Sequence, residues 1–378
     1  MTSLLTISDT TLRDGVQMSG ARLSVQGKVR IAEKLESIGV RSLEIGFPAS
    51  GAREIQEMRA IAKTVRRSML LALCRTVERD IDAARSVFDS VARIRCGVNL
   101  FLATSPIHRD RKLRMTRKEL LRSITRAVAY ARKYFTAVSF SAEDASRTEP
   151  EFLLEVYKSA IGAGVTTIGY PDTLGILTPE AAYDAIARIR NSLDAQGTRV
   201  AVHFHNDLGL ATANSLAAIK AGADVVQCTV NGMGERAGNA PLEEVAVALM
   251  LHPRTYGRVP KIDTTKLTAV SQLVARETGI GIPVNKPIVG RNVFSSAAGL
   301  HQDGLLKDPR TYLPFSPQLV GIDTVELVLG RQSGRAAAAA YLAARGESAT
   351  RESVDSLVSE LKTGNCGRIQ RRVLVNVG

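Results

Sequence analysis

Residues 200–230 read VAVHFHNDLGLATANSLAAIKAGADVVQCTV, and the fold turns on how this stretch parses. An apolar run rich in β-branched and aromatic residues, 200–205, ends in a polar cluster. A longer stretch with helical spacing of its apolar residues follows and closes on glycine, and a second apolar run, 224–230, resumes the chain. Strand, helix and strand at this spacing make one βα unit and the start of the next. Outward from here the alternation recurs about every 30 residues through about the first 250. Strands are expected at 4–9, 42–46, 68–74, 94–102, 137–142, 166–170, 200–205 and 224–230. Helices between them include 24–39, 115–134, 150–164 and 178–194, several opened by Ser, Thr or Pro and closed by Gly. Eight strands, each followed by a helix, predict an α/β fold, a (β/α)8 TIM barrel over residues 1–252. A doubly wound open sheet would compete, but no G-x-G-x-x-G follows the first strand.

Beyond residue 252 the pattern changes. A helix near 264–278 leads into GIGIPVNKPIVGRNVFSSAAGLHQDG, rich in Gly and Pro, and two more helices are expected at 333–345 and 351–363. Residues 253–378 therefore read as a smaller, mostly helical accessory region.

With 378 residues, 45% of them hydrophobic, the chain can bury a large core. There is no uncharged apolar run of ~18 residues, and Asp9 and Arg13 interrupt the N-terminus before a signal-peptide core could form. A cytoplasmic protein with no membrane partner is expected. Cys74, Cys96, Cys228 and Cys366 lie far apart without a C-x-x-C pair and read as reduced structural thiols. The net charge of +13 raises the question of nucleic acid, but the chain has no Trp, 4% aromatics and no zinc-finger spacing. Basic runs such as Arg109, Arg111, Lys112 and Arg114 read as solvated faces. Attraction of small polyanions accounts for the charge equally well, so no nucleic-acid partner is expected.

The chemistry-bearing residues fall where a barrel places its active site, at the C-terminal ends of the strands. Strand one ends in TTLRD, five in SAED, six in YPDT, seven in HFHND, and NGMGERAGN follows eight. His203 and His205, two apart on one strand, point to the same face, while Val202 and Phe204 point the other way. A lone buried histidine is usually a satisfied core residue; two in register at a strand end favour a metal. Asp14, at the end of strand one and therefore next to strand eight in a closed barrel, can add a carboxylate and Asn239 a neutral oxygen. Such a set suits Mn, Mg, Zn or Co. An open divalent site can chelate and polarise an α-keto acid. Arg13, in a turn beside Asp14, can stabilise developing oxygen charge. Glu143 and Asp144 end strand five and can relay a proton; Ser141 and Thr173 offer hydroxyls to a substrate carboxylate or to a helix cap. The glycines of NGMGERAGNA lack P-loop spacing and suit a tight turn.

Taken in order, TTLRDGVQ (10–17), IGFPAS (45–50), LATSPIHRDRKL (102–113), SAEDASR (141–147), TTIGYPDTLG (166–175), HFHNDLGLATANSLAAIKAGAD (203–224) and NGMGERAGNAPLEE (231–244) closely resemble the acetyl-CoA-condensing branch of the DRE-TIM metallolyase superfamily. That branch holds the 2-isopropylmalate, homocitrate and citramalate synthases, and the likeness covers residues 6–335. The resemblance implies an acyltransferase that condenses acetyl-CoA with an α-keto acid to a 2-alkylmalate-type product and free CoA. The alternatives are a homocitrate, citramalate or phosphonomethylmalate-type synthase of a specialised pathway, and more remotely a metal-dependent acyl-CoA lyase. It further implies Asp14, His203, His205 and Asn239 at a divalent metal, Arg13 at the developing alkoxide or enolate, Ser141 and Thr173 on the acceptor's carboxylate, and Glu143 in acid–base chemistry. Arg75 and the region around Leu100 would shape the acceptor pocket. In GLHQDGLLKDPRTY (299–312), His301 and Tyr312 match catalytic positions that the family delivers to the partner subunit's barrel in a homodimer with shared active sites. Two departures matter. The family's G-K-H-S-G reads GRQSG here, with Gln332 in place of the His, and the chain stops at Gly378 without a further regulatory domain. Leucine inhibition is therefore not expected, and the pathway stays open among leucine synthesis, homocitrate formation and specialised metabolism.

Overall fold

The computed structural model describes residues 5–193, 197–363 and 371–376; Leu4 of the first expected strand, Asp194 of the helix before strand seven, and Cys366 lie outside them. Eight parallel strands close a barrel in chain order: β1 (Thr6–Asp9), β2 (Ser42–Glu44), β3 (Met69–Arg75), β4 (Cys96–Ala103), β5 (Ala137–Glu143), β6 (Thr167–Asp172), β7 (Arg199–Phe204) and β8 (Val225–Cys228). Pairing of Thr6 with Val225 and of Ser8 with Ser42 shows β1 gripped by both β8 and β2, which is the closure.

Helices intervene as the caps dictate. Ser24 opens Val25–Ser37 by accepting from the Gly27 amide at 3.0 Å, Thr116 and Glu119 form a reciprocal capping box before Arg117–Arg132, and Pro150 and Pro179 occupy first turns where no amide is needed. Side chains on the outer face of the strands, such as Leu70, Ala72, Cys74, Val138 and Phe140, are wholly buried under this helical ring. Cys74, Cys96 and Cys228 are free and buried, and burial pushes all three thiols up.

The barrel unit comprises residues up to 263 together with 270–281, which moves the boundary expected at 252. The reason is visible: the Asp263 amide donates to Ile38 O at 2.8 Å, Arg258 donates to Ala223 O at 2.7 Å, and Arg30 forks onto Glu277 at 2.7 and 2.9 Å. The second unit comprises 264–269 and the chain from 282 onward. Its helices, Gly299–Lys307, Arg335–Ala344 and Arg351–Thr363, pack Leu305, Ala338, Leu342, Leu357 and Leu361 onto Val325, Leu327 and Leu329. Those last three belong to a three-stranded sheet of Ser295–Ser296, Thr324–Leu329 and Arg371–Asn376, which the expectation of a mostly helical region did not name. No helix among the described residues is long and apolar enough to cross a membrane.

Candidate active site

At the C-terminal end of β1 the chain turns sharply. The amides of Arg13, Asp14 and Gly15 all donate to Thr10 O, at 3.0, 2.8 and 3.2 Å, so two adjacent side chains both enter the barrel mouth, which an extended strand forbids. The mouth is a cavity of about 300 Å³ lined by Arg13, Asp14, Leu73, Asn99, Phe101, Ser141, Glu143, Thr173, His203, His205 and Arg236, among others.

On one wall, ligating atoms of Asp14, His203 and His205 all lie within 4.8 Å of one another. The two Nε2 atoms face each other at 3.2 Å, and His203 Nε2 stands 3.7 Å from Asp14 Oδ2. His205 Nδ1 lies 3.2 Å from Gly238 O; donating there directs the lone pair of Nε2 inward. Burial, then the neighbouring His205, holds His203 down at about 3, and burial also lowers His205, so both rings are neutral at pH 7. Burial works against ionisation of Asp14, but Arg13 and the two histidines outweigh it and keep its carboxyl well below the usual range. Asn239 donates from Nδ2 to Asp14 Oδ1 at 2.8 Å and to Met233 O at 3.0 Å, while its Oδ1 is buried with no hydrogen-bond partner. An acceptor so placed costs desolvation free energy unless something electropositive meets it. Two neutral imidazoles, one carboxylate and one orphaned amide oxygen fit a divalent cation. The backbone makes room for the set at Gly234, where a Cβ would stand 2.1 Å from Asn239 Nδ2 and 2.7 Å from Asp14 Oδ1.

The opposite wall is a hydrogen-bonded chain. Arg13 binds Asp14 through Nη1 at 2.5 Å and Glu44 through Nε at 2.5 Å. Glu44 accepts from Asn99 Nδ2 at 2.9 Å, and Asn99 Oδ1 accepts from Ser141 Oγ at 3.0 Å. Glu44 and Asn99 went unremarked in the sequence, although Asn99 is the lone amide in an otherwise apolar strand and Glu44 is a fully buried carboxylate at the end of β2. Glu143 stays at the mouth, paired to Lys112 at 2.6 Å, whereas Asp144 turns away through a left-handed φ of 63° to Arg147. Thr173 Oγ1 accepts the Asp144 amide at 2.9 Å, which leaves its hydroxyl proton for a ligand.

The basic run after β4 is not a plain solvated face. Residues His108–Leu113 form a π-helical turn, Arg109 is buried with Nη1 on Thr104 O at 2.6 Å and both terminal nitrogens on Glu149, and Lys112 reaches the mouth. Arg75 does not line the mouth: Asp80 engages it at 2.8 and 2.9 Å, and its ring neighbour is Phe47. His301 and Tyr312 belong to the second unit, where they stack on each other at 4.1 Å; Gln332 is exposed in the same unit.

Over 364 residues the chain is 44% identical to the 2-isopropylmalate synthase of Staphylococcus saprophyticus, a match covering 96% of this chain and 71% of that protein. Over 363 residues it is 45% identical to the 2-isopropylmalate synthase of Pyrococcus furiosus, covering 96% and 72%. The chain belongs to the 2-isopropylmalate synthase family. Within the DRE-TIM superfamily it carries both parts of that architecture: the HMGL-like family profile matches residues 4–274 and the homocitrate synthase post-HMGL domain-like profile matches 288–366. Among solved structures, the HMG-CoA lyase of Bacillus subtilis superposes with a TM-score of 0.64 at 18% identity, covering 74% of this chain and 96% of that one. The HMG-CoA lyase of Acinetobacter baumannii, solved with coenzyme A and 3-methylmalate, gives 0.63 at 19%, covering 74% and 93%. At these identities the likeness is one of fold, the same closed barrel.

Proposed function

We propose that this chain condenses acetyl-CoA with an α-keto acid at the barrel mouth, with a divalent cation (Mn, Mg, Zn or Co) held by Asp14, His203, His205 and Asn239. The carrying observation is the convergence of Asp14 and two neutral imidazoles on a pocket that also presents Arg13, Ser141 and Thr173. When bound, the cation supplies Lewis acidity toward the keto oxygen. Arg13, clamped by Asp14 and Glu44, presents its remaining guanidinium edge to oxygen charge as it develops. Thr173 donates to the acceptor's carboxylate, and Ser141 donates beside it when its hydroxyl turns from Asn99 Oδ1 to the ligand. Glu143 moves protons at the mouth, with Lys112 beside it to steady the charged form. His301 and Tyr312 complete the acid–base set, delivered by the second unit of the partner subunit in a homodimer. Loss of the acetyl methyl proton gives an enolate, its carbon attacks the keto carbon, and water then cleaves the thioester to free CoA.

Leu73, Phe101 and Tyr170 line the same cavity, so a short branched apolar side chain suits it, and 2-ketoisovalerate is the first acceptor to try. A cytoplasmic enzyme using acetyl-CoA fits the free buried cysteines. The test is release of free thiol from acetyl-CoA with 2-ketoisovalerate, 2-oxoglutarate, pyruvate, oxaloacetate or 3-phosphonopyruvate, with and without chelator. Thiol release with at least one acceptor, lost on chelation and restored by cation, is expected; full turnover in metal-free protein rejects the reading.

A further inference from the structure

A TIM barrel is normally filled by layers of bulky branched side chains, which make it a packed core and not a pore. Here the inward layers leave space, and hydroxyl and amide side chains stand among the apolar ones. The residues of β3 and β5 that face into the barrel, Leu71 and Leu73, Ser139 and Ser141, are partly accessible, while their outward neighbours are buried, the reverse of a packed interior. Beneath the mouth lies a second cavity of about 420 Å³, where Ser8, Ser42, Ser139 and Thr167 alternate with Met69, Leu71 and Val225, and which reaches Arg41 and Ile94 at the N-terminal face. It shares Asn99, Ser141, Gly169, Ala201 and Gln227 with the cavity above, so those five residues form a neck between the two chambers. The neck is narrow by construction: a Cβ on Gly169 would meet Ser141 Oγ at 2.2 Å.

We infer that the barrel is a water-filled shaft, and that it feeds from below the water consumed in thioester hydrolysis. A chamber this size has room for about ten waters, and hydroxyls on several walls give each of them partners. This role rests on the proposed condensation. In that reaction the second step needs one water: its oxygen bonds to the acyl carbon, the carbon–sulfur bond breaks, the thiolate takes up a proton and the new carboxylic acid loses one. At that moment the thioester itself occupies the mouth. A polar neck of Asn99, Ser141 and Gln227 passes water but not an organic acid, so the shaft can refill the site while the substrate entrance is closed.

The test fills or caps the lower chamber away from the reacting groups. Ser139→Leu places a side chain in the chamber, and Ile94→Trp covers its outer end from a residue that is 76% exposed. Rapid quench separates condensation, read as the thioester of the condensed acid, from hydrolysis, read as free thiol. In wild type the two keep pace; in the variants hydrolysis lags and the condensed thioester accumulates. Hydrolysis that keeps pace in both folded variants overturns the proposal, as does equal loss of both steps, which reports damage to the site. If Ser139→Leu fails to fold, Ile94→Trp decides. If wild type condenses no keto acid, the functional reading falls, and a high-resolution crystal structure of the full chain still decides the shaft: a file of ordered waters from Ser8 to Gln227 supports it, and a dry lower chamber overturns it.

Discussion

Two pairs of ring side chains in this molecule are held in opposite ways. His203 and His205 are buried at the end of β7, with exposures of 9% and 7%, and are locked by Asp14, Gly238 and Asn239. His301 and Tyr312 stack on each other in the second unit and are both exposed, Tyr312 at 48%. The first pair is finished by its own barrel, and the strands and loops that carry it pay the desolvation of neutral rings. The second pair lines neither of the barrel's two cavities, and the proposed reading has it act on another copy's barrel.

The sharpest way to break this contrast is at the first pair. His203→Ala is expected to cut turnover by roughly a thousandfold or more while the thermal melt stays cooperative, because a Lewis-acid site is worth several kcal/mol. A variant that unfolds would make His203 a core residue instead. At the second pair, His301→Ala or Tyr312→Phe should cost about 10²–10⁴ in kcat, the range for acid–base groups. Mixing Asp14→Ala with His301→Ala under subunit exchange should restore activity toward about a quarter of wild type, since one site of each heterodimer then carries neither defect. No recovery despite demonstrated exchange would mean that each chain completes its own site.

A smaller effect is expected one bond further out. Glu44→Gln and Asn99→Leu loosen the clamp on Arg13 without touching a metal ligand, and about 10–100-fold loss in kcat at retained cation affinity is the expected signature. Loss of cation binding instead would assign the Arg13–Glu44 wall to the metal. Weaker again is the field of the +13 chain: rising salt should raise the KM for the CoA thioester, since such fields are screened within about 8 Å at physiological ionic strength. A KM indifferent to salt would detach the charge from the substrate.

The last effect is on stability alone. Burial, reinforced by the charge of Glu243 and opposed by hydrogen bonds from Thr11, raises Asp9 from 3.8 to about 7. The folded state thus binds this proton more tightly than the unfolded chain does, so the contribution is complete below about 4 and is lost as pH rises through about 7. Between about pH 5 and about pH 8 the wild-type Tm should fall relative to that of Asp9→Asn. Parallel curves would show that Asp9 keeps its charge on folding.

What the sequence disclosed divides along the same line. Strand positions were legible because each barrel strand buries its outer face under helices, leaving runs such as LLALC and VAVHF. Asp14, His203 and His205 were legible because strand alternation fixes which way an H-x-H points. The turn at Thr10 that brings Arg13 and Asp14 in together is made by backbone hydrogen bonds, which no side-chain pattern reports. Glu44 and Asn99 were passed over because their partners, Arg13 and Ser141, lie 31 and 42 residues away. In the second unit TVELVL alternates as a strand should, yet its pairing with Arg371–Asn376 is non-local and the surrounding helical signal prevailed. Arg75, promising at a strand end, found Asp80 five residues on, a local pairing that periodicity does not weigh against function.

Gly234 carries a consequence for how copies of such a gene decay. With any side chain there, Asp14 and Asn239 are pushed apart while the barrel, whose strands lie elsewhere, can still close. A duplicate that kept every ligand but lost this glycine would look intact to a motif search and persist as a folded, silent relative. Retention of that single hydrogen in place of a side chain is thus a better marker of a living enzyme than the presence of its histidines.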